Sequence, residues 1–419
     1  MKRLIPPLAV LAIVTVAGLA CKASGTPIPQ TPYSDHQPDN PMVHQVGRSL
    51  IDPNGQPLRL RGVNLGGWLL WEGWDFSKGS DLSENTIDQG VIKLVGQDAL
   101  DRFHQQVYEN FITEADIRAI EGLGFNSVRL PINYNILEDD SRPYVYLDSG
   151  WRMIDQALTW CEKYNLYVIL DLHAVPGGQS GLPPSNPSPG EPRIWFSPDD
   201  QARTVALWKA IAERYRGRTV VAGYDLINEP LPSNGNKLIL LYQRIIPVIR
   251  QVDPDHLLVL EGTAFSGNFD AFTGPLFENE MYGFHMYNWF GDNRKKKLDQ
   301  FQEISRAQNV PLWAGEFGDN TYAMIGSTVA MYENSGNGVT AGWPFWTWKK
   351  VPGKYPALAT ITVPDGWQAV FNLISNPKKN PQPSLAEAQA GMDEFVHAVQ
   401  LRNTPIDPQM AQALTGNWQ

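Results

Sequence analysis

The 419-residue chain predicts an α/β fold, closed as a single (β/α)8 TIM barrel with one catalytic domain. Three observations carry that expectation. Short runs rich in β-branched and aromatic residues stand near 58–64, 125–130, 167–173, 222–228, 257–262, 282–287, 311–316 and 339–346. Segments with helical periodicity separate them. Nearly every run ends on a polar or aromatic residue. Strand alternating with helix implies a parallel sheet, and eight such units in one chain suit a closed barrel better than a doubly wound sheet.

The elements follow in order. Residues 1–20 read as a signal peptide, with Lys2 and Arg3 ahead of an apolar run too short and wrongly flanked for a membrane span. The run ends in small residues before Cys21, which resembles a bacterial lipoprotein signal and makes Cys21 the expected lipid attachment site. The residue three before it is Gly18, where such signals prefer a large aliphatic one. Residues 21–45, rich in Pro, Ser and Asp, read as an extended tether. The expected address is therefore the cell envelope through a lipid anchor, or else plain secretion. Residues 46–402 form the barrel domain and 403–419 a C-terminal tail.

Within the domain, Thr113-Glu-Ala-Asp116 opens a helix with a capping box, and Gly122 and Gly124 close it. Ile154, Ala157, Leu158 and Cys161 share one helical face, so Cys161 is a core residue with no disulfide partner. Val205, Trp208, Ala212 and Tyr215 mark a second helix, and Leu241, Ile245, Val248 and Val252 a third. The one basic cluster, Arg294-Lys295-Lys296-Lys297, reads as a solvated helix start. With 34 basic and 44 acidic side chains the net charge is −10, which argues against nucleic acid as a partner. At 42% hydrophobic residues, a large core is expected.

Barrel chemistry sits at the C-terminal strand ends. There the sequence delivers Arg129, Asp171, His173, Asn228, Glu229, Glu261, His285, Tyr287, Glu316 and Trp346. Any one could be a satisfied structural residue. Together they are hard to explain as packing, because unpaired buried charge is costly. Two carboxyls on opposite strand ends, Glu229 after the fourth run and Glu316 after the seventh, are what glycoside hydrolysis requires: one protonated to donate to the leaving oxygen, one ionised to attack the anomeric carbon. Facing each other across the mouth they would sit about 5 Å apart, the retaining distance. Arg129 and Tyr287 are placed to hold Glu316 ionised, and the Asn228 amide to bond a sugar 2-hydroxyl.

The motifs "GFNSVRLPINY", "ILDLHAVPGG", "LINEP", "HMY", "AGEFG" and "GWPFWTWK", in that order over about residues 46–400, resemble family 5 of the glycoside hydrolases. The resemblance implies Glu229 as acid/base and Glu316 as nucleophile. It implies Arg129, His173, Asn228, His285 and Tyr287 as the supporting shell, and Trp346 as the floor under the −1 sugar. "RGVNLGGWLLWEGW" resembles the start of that family's exo-β-1,3-glucanases, which implies that Glu72, with Trp68, binds the terminal sugar. The chain departs from that branch where Gly73-Trp74 follows Glu72 in place of proline, in "DFSKGSDLSENTIDQG", and in lacking the fungal branch's cysteines.

The expected function is a retaining β-glycosidase acting on a β-glucan or β-glucoside oligosaccharide, as a monomer. The alternatives are an endo-β-1,4-glucanase, a β-mannanase, a glucosyl lipid hydrolase, or a carbohydrate-binding surface protein without turnover. The sequence carries no metal cluster, phosphate loop or nucleotide motif, and this chemistry needs no metal or cofactor. Trp195 and Phe196 in the 176–196 loop read equally as plus-side platforms or loop anchors.

Overall fold

The computed structural model describes residues 40–79, 81–186, 192–288, 292–334 and 339–416. The signal segment, Cys21 and the tether up to residue 39 lie outside them. Eight parallel strands close a barrel: β1 (Leu60–Asn64), β2 (Ser127–Asn133), β3 (Tyr167–Ala174), β4 (Val221–Asp225), β5 (Leu257–Glu261), β6 (Glu280–Tyr287), β7 (Leu312–Gly318) and β8 (Gly342–Phe345). Each pairs with its neighbour in sequence, and β8 closes on β1 through Phe345 beside Val63.

Each expected run contains or overlaps a strand, because these segments are buried on both faces and read as apolar runs. The fourth is shorter than expected. It ends at Asp225, so Asn228 and Glu229 stand on the turn beyond it. The capping box at Thr113 and Asp116 is present, and Cys161 is buried.

Two apolar layers hold the barrel. Outside it, helices such as Pro198–Tyr215 and Gly235–Val252 pack Trp208, Tyr215, Leu241 and Ile245 onto the strands. Inside, at the strand N-terminal ends, Val43 and Leu50 join Leu60, Ile169, Val259 and Trp313. Val43 and Leu50 flank and form part of a small antiparallel sheet (His44–Val46, Ser49–Ile51, Pro57–Leu58) at that end. The packed fold thus reaches back past residue 46, with Asn40 donating to the Asp255 carbonyl. It also continues past residue 402: helix Pro408–Thr415, capped by Asp407, buries Met410 and Leu414. The basic cluster is only partly solvated. Arg294 is buried and paired with Asp292, and Lys295 is exposed.

Candidate active site

Arg129, fully buried on β2, organises the upper interior of the barrel. Its guanidinium donates to Asp225 (2.9 Å), Asn64 (3.1 Å), Glu316 (2.8 Å), Asn228 (2.8 Å) and Glu261 (3.1 Å), and lies 3.0 Å from Asp171. A planar fork of five donors can meet such a ring, whereas a point charge cannot. Strand register explains the gathering, since Asn64 pairs with Arg129, Asp171 with Asp225 and Glu316 with His285 on neighbouring strands.

Glu316 is aimed by an irregularity in β7. The register with β6 shifts between Ala314 and Glu316, leaving Gly315 as an extra residue. A Cβ on Gly315 would lie 3.0 Å from the Trp313 ring and 3.1 Å from His285 Nε2, which favours glycine there. Glu316 accepts from Arg129 on one oxygen and from the Tyr287 hydroxyl, at 2.8 Å, on the other.

Glu229 stands in the left-handed region, with φ 43°. Its turn is held by its own N–H on Glu261 (2.6 Å) and by Gln179 Nε2 on the Asn228 carbonyl (2.9 Å). Its carboxylate lies 2.8 Å from His285 Nδ1. Ligand-type atoms of Glu229, His285 and Glu316 all fall within 4.8 Å of one another, the short spacing of a retaining pair.

The charges follow from these contacts. Burial lifts the Glu316 carboxyl above its ordinary range against the pull of His285 and Arg129, and Glu229 adds to the lift. Two carboxyls this close do not ionise together easily. Glu316 meets the Arg129 guanidinium and the Tyr287 hydroxyl, one on each oxygen, which favours charge on that carboxyl. Burial works against charge on His285, but Glu261 and Glu316 raise its pKa well above the ordinary value. Its Nε2 lies 3.1 Å from Glu261, off the hydrogen-bond line. Glu261, buried but faced by His285 and Arg129, is held at about 2. His173 bonds Asp171 through Nδ1 (2.6 Å) and Asn228 through Nε2 (3.1 Å), and its ring stacks on Trp346 with centroids 5.4 Å apart.

A cavity of about 360 Å³ lies above this layer, lined by His173, Glu229, Tyr287, Glu316 and Trp346, with Glu72, Trp74, Ser77, Lys350 and Tyr355 among the remaining lining residues. Arg129, Asn228 and His285 stand behind it. Asn228 accepts from Arg129 through Oδ1 and meets His173 Nε2 through Nδ2, which fixes the amide behind the cavity lining. Trp346 forms a floor: a Cβ on Gly66 would come within 2.7 Å of its ring, so only glycine lets the β1 loop pass.

The tryptophans of the "WLLWEGW" loop divide. Trp68 is a correction: it is buried in the core, its indole donates to the Tyr108 carbonyl (2.8 Å), and it does not line the cavity. Trp71 is core as well, stacked on His104 at 4.3 Å. Trp74 is the ring at the cavity, and it donates to Glu72 (3.1 Å). Glu72 lines the cavity as expected but is 2% exposed, not an open rim residue. Burial, then Asp75, Glu316 and Glu229, raise its carboxyl well above the ordinary range against Lys350. Trp195 is a loop anchor, buried and donating to the Gln179 carbonyl (2.8 Å), while Phe196 is exposed.

This loop also carries a pH prediction. Glu84 accepts from the Trp71 N–H (3.0 Å) and from Asn133 (3.1 Å), both on Oε2, and burial raises it to about 7. Burial likewise raises Glu280 and Asp75 to about 7. Each binds its proton more tightly folded than unfolded, so its stability contribution is full below the ordinary carboxyl range and is lost as pH rises towards 7. Tm should fall between pH 5 and pH 8. Glu84→Gln keeps an acceptor for both bonds and should flatten that fall; thermal melts giving equal slopes for the two proteins would refute it.

The chain matches the cellulase family, glycosyl hydrolase family 5, over residues 90–351 and belongs to it. It is 34% identical over 289 residues to a beta-xylosidase of Phanerodontia chrysosporium, covering 65% of this chain and 60% of that one. It is 31% identical over 283 residues to a probable glucan 1,3-beta-glucosidase A of Aspergillus clavatus, covering 63% and 66%. The chain thus spans somewhat under two thirds of the length of these relatives. Its fold is similar to that of endoglucanase Cel5A from Thermotoga maritima, with a TM-score of 0.52 at 18% identity over 79% of this chain and 96% of that one.

Several participants escaped the sequence reading. Asp225 ends β4, but within the expected run 222–228 it is an interior position and shows no run-end signal. Lys350 lies in a two-residue strand, and Ser77 and Tyr355 lie on loops, segments too short or irregular for a period to give direction. Trp74 was visible, but nothing in the spacing separated it from Trp68.

Proposed function

We propose that this chain is a retaining β-glycosidase that cleaves β-linked glucan or short β-glucosides from one end. The observation that carries the reading is the pair Glu229 and Glu316, close together yet in different surroundings. Glu316 attacks the anomeric carbon while Glu229 gives its proton to the departing oxygen, leaving a glycosyl ester on Glu316. Glu229, now ionised, takes a proton from water, which attacks the same carbon and releases the sugar with its configuration retained. Arg129 and Tyr287 balance the Glu316 charge throughout, and Trp346 offers its face to the sugar ring.

End-wise action is supported by the cavity, which is small for a ligand site, since such sites run from about 300 to 1,000 Å³. It is supported also by Glu72 and Trp74 reaching into it from the β1 loop. A preference for β-1,3 linkage is supported by the relatives named as glucan 1,3-beta-glucosidases. Glu72→Ala should lower kcat/KM on an aryl β-glucoside at least about tenfold, since leaving a buried polar group without its partner costs about 1–3 kcal/mol, and shift laminarin products from glucose to oligosaccharides. A product profile on laminarin, cellulose, mannan and xylan oligosaccharides tests the reading. Glucose from laminarin supports it, and an unchanged profile in Glu72→Ala removes Glu72 from the sugar site.

We also propose export with acylation at Cys21, which rests on the charged, apolar and small-residue order of the first 21 residues. A triacylated cysteine anchors stably at about 0.8 kcal/mol per buried CH2. Cys21→Ser should move active protein to the soluble fraction, whereas wild-type protein already soluble and cut before residue 21 contradicts the anchor.

A further inference from the structure

The cavity has an end that the two-glutamate mechanism does not use. The loops after β1 and β8 meet there, as they must, because those strands are neighbours. They are joined by a main-chain bond from the Val351 N–H to the Asp75 carbonyl (3.0 Å). From one loop come Glu72, Trp74 and Ser77, from the other Lys350 and Tyr355. Lys350 is 5% exposed and Ser77 2%. Among the described residues the Lys350 ammonium has no hydrogen-bond or ion-pair partner, and the Ser77 hydroxyl has none either. Asp75, fully buried beside them, is left with both carboxylate oxygens unpartnered.

The neighbouring Lys349 supplies the contrast. It too is fully buried, but its ammonium is saturated by Asp116 (2.7 Å) and by the carbonyls of Phe111 (2.6 Å) and Val399 (2.9 Å). That lysine is structural. Buried polar groups in native proteins are nearly always bonded, and those that are not call for an explanation. Both residues line the cavity, but the Ser77 Oγ is itself shut off from the open space, so the group a ligand can complete is the Lys350 ammonium.

We propose that Lys350, together with Glu72, forms a specificity subsite for the hydroxyls of a neutral sugar at this end of the cavity. A ligand satisfying this group must offer acceptors to the ammonium and donors to the carboxylate, and each sugar hydroxyl offers both. An anionic sugar would suit Lys350 but would share a buried site with the carboxyls of Glu72 and Asp75, whose raised pKa values show that negative charge is costly there, so a carboxylated sugar is disfavoured. Asp75 acts on Lys350 only through space, its carboxyl favouring the ammonium charge without touching it. The inference deepens the glycosidase reading and rests on it for the identity of the ligand.

The test measures kcat/KM for 4-nitrophenyl β-glucoside and its four monodeoxy analogues, in wild type and in Lys350→Met. At least one analogue should cost wild type tenfold or more and cost Lys350→Met little, since the variant has already lost that contact. Equal penalties for every analogue in both proteins overturn the proposal. Lys350→Met leaves Asp75 buried without its cation, so Asp75→Asn/Lys350→Met is the companion that keeps the interior neutral if the single variant does not fold. Titration of tryptophan fluorescence with glucose and with glucuronate separates this subsite from the catalytic reading. If wild type turns over no glycoside but binds glucose at least tenfold more tightly than the variant does, the subsite stands and the glycosidase reading fails. Glucose binding that is absent, or equal in both proteins, overturns the subsite. Glucuronate binding as tight as glucose overturns its neutral-sugar specificity.

Discussion

Glu316→Gln should lose at least about 10⁴-fold in kcat on every β-glycoside, good leaving groups included, because no covalent ester can form. Glu229→Gln should fail differently. An activated aryl glycoside leaves without a proton, so glycosylation survives and the ester accumulates for want of a base. Added azide then attacks the anomeric carbon unaided, and turnover should recover to give a β-glycosyl azide. The structure makes the asymmetry specific: Glu316 is engaged by Arg129 and Tyr287, and Glu229 by His285. A β-glycosyl azide formed by Glu316→Gln in place of Glu229→Gln would reverse the roles, and full activity of either variant on natural glucan would remove both.

Arg129→Lys should have the second largest effect. Five donors now serve Asp225, Asn64, Glu316, Asn228 and Glu261. A lysine keeps the charge but cannot span the ring, so several buried carboxylates lose their partner. Breaking a buried pair costs about 3–5 kcal/mol, and Tm should drop visibly. Catalysis should suffer in kcat by at least about tenfold, with a smaller change in KM, because Arg129 lies behind the cavity and acts through Glu316. A change confined to KM would place Arg129 against substrate and contradict the geometry.

What the sequence made legible was set by chemistry at strand ends. Glutamates, histidines and an arginine closing apolar runs have few structural uses, and a parallel barrel brings them to one rim, so Glu229, Glu316, Arg129, His173, His285 and Tyr287 could be found without coordinates. The loops were less legible for a physical reason: with no period, spacing does not say which way a ring points. Trp68 and Trp74 stand in the same eleven residues, yet one fills the core and the other faces the cavity. Lys349 and Lys350 are adjacent and alternate in direction, so one is spent on Asp116 and the other borders the cavity. Asn228 is held by Arg129 and His173, a network that only the folded barrel assembles.

The central claim is that Glu316 carries the sugar between the two chemical steps. Incubating the enzyme with a 2-deoxy-2-fluoro-β-glucosyl fluoride slows ester hydrolysis enough to trap the intermediate for intact-protein and peptide mass spectrometry. The account predicts one fluoroglucosyl group per chain, on the peptide containing Glu316, with the label absent in Glu316→Gln. A label on Glu229, or an active enzyme that is never labelled and releases product of inverted configuration, would contradict it.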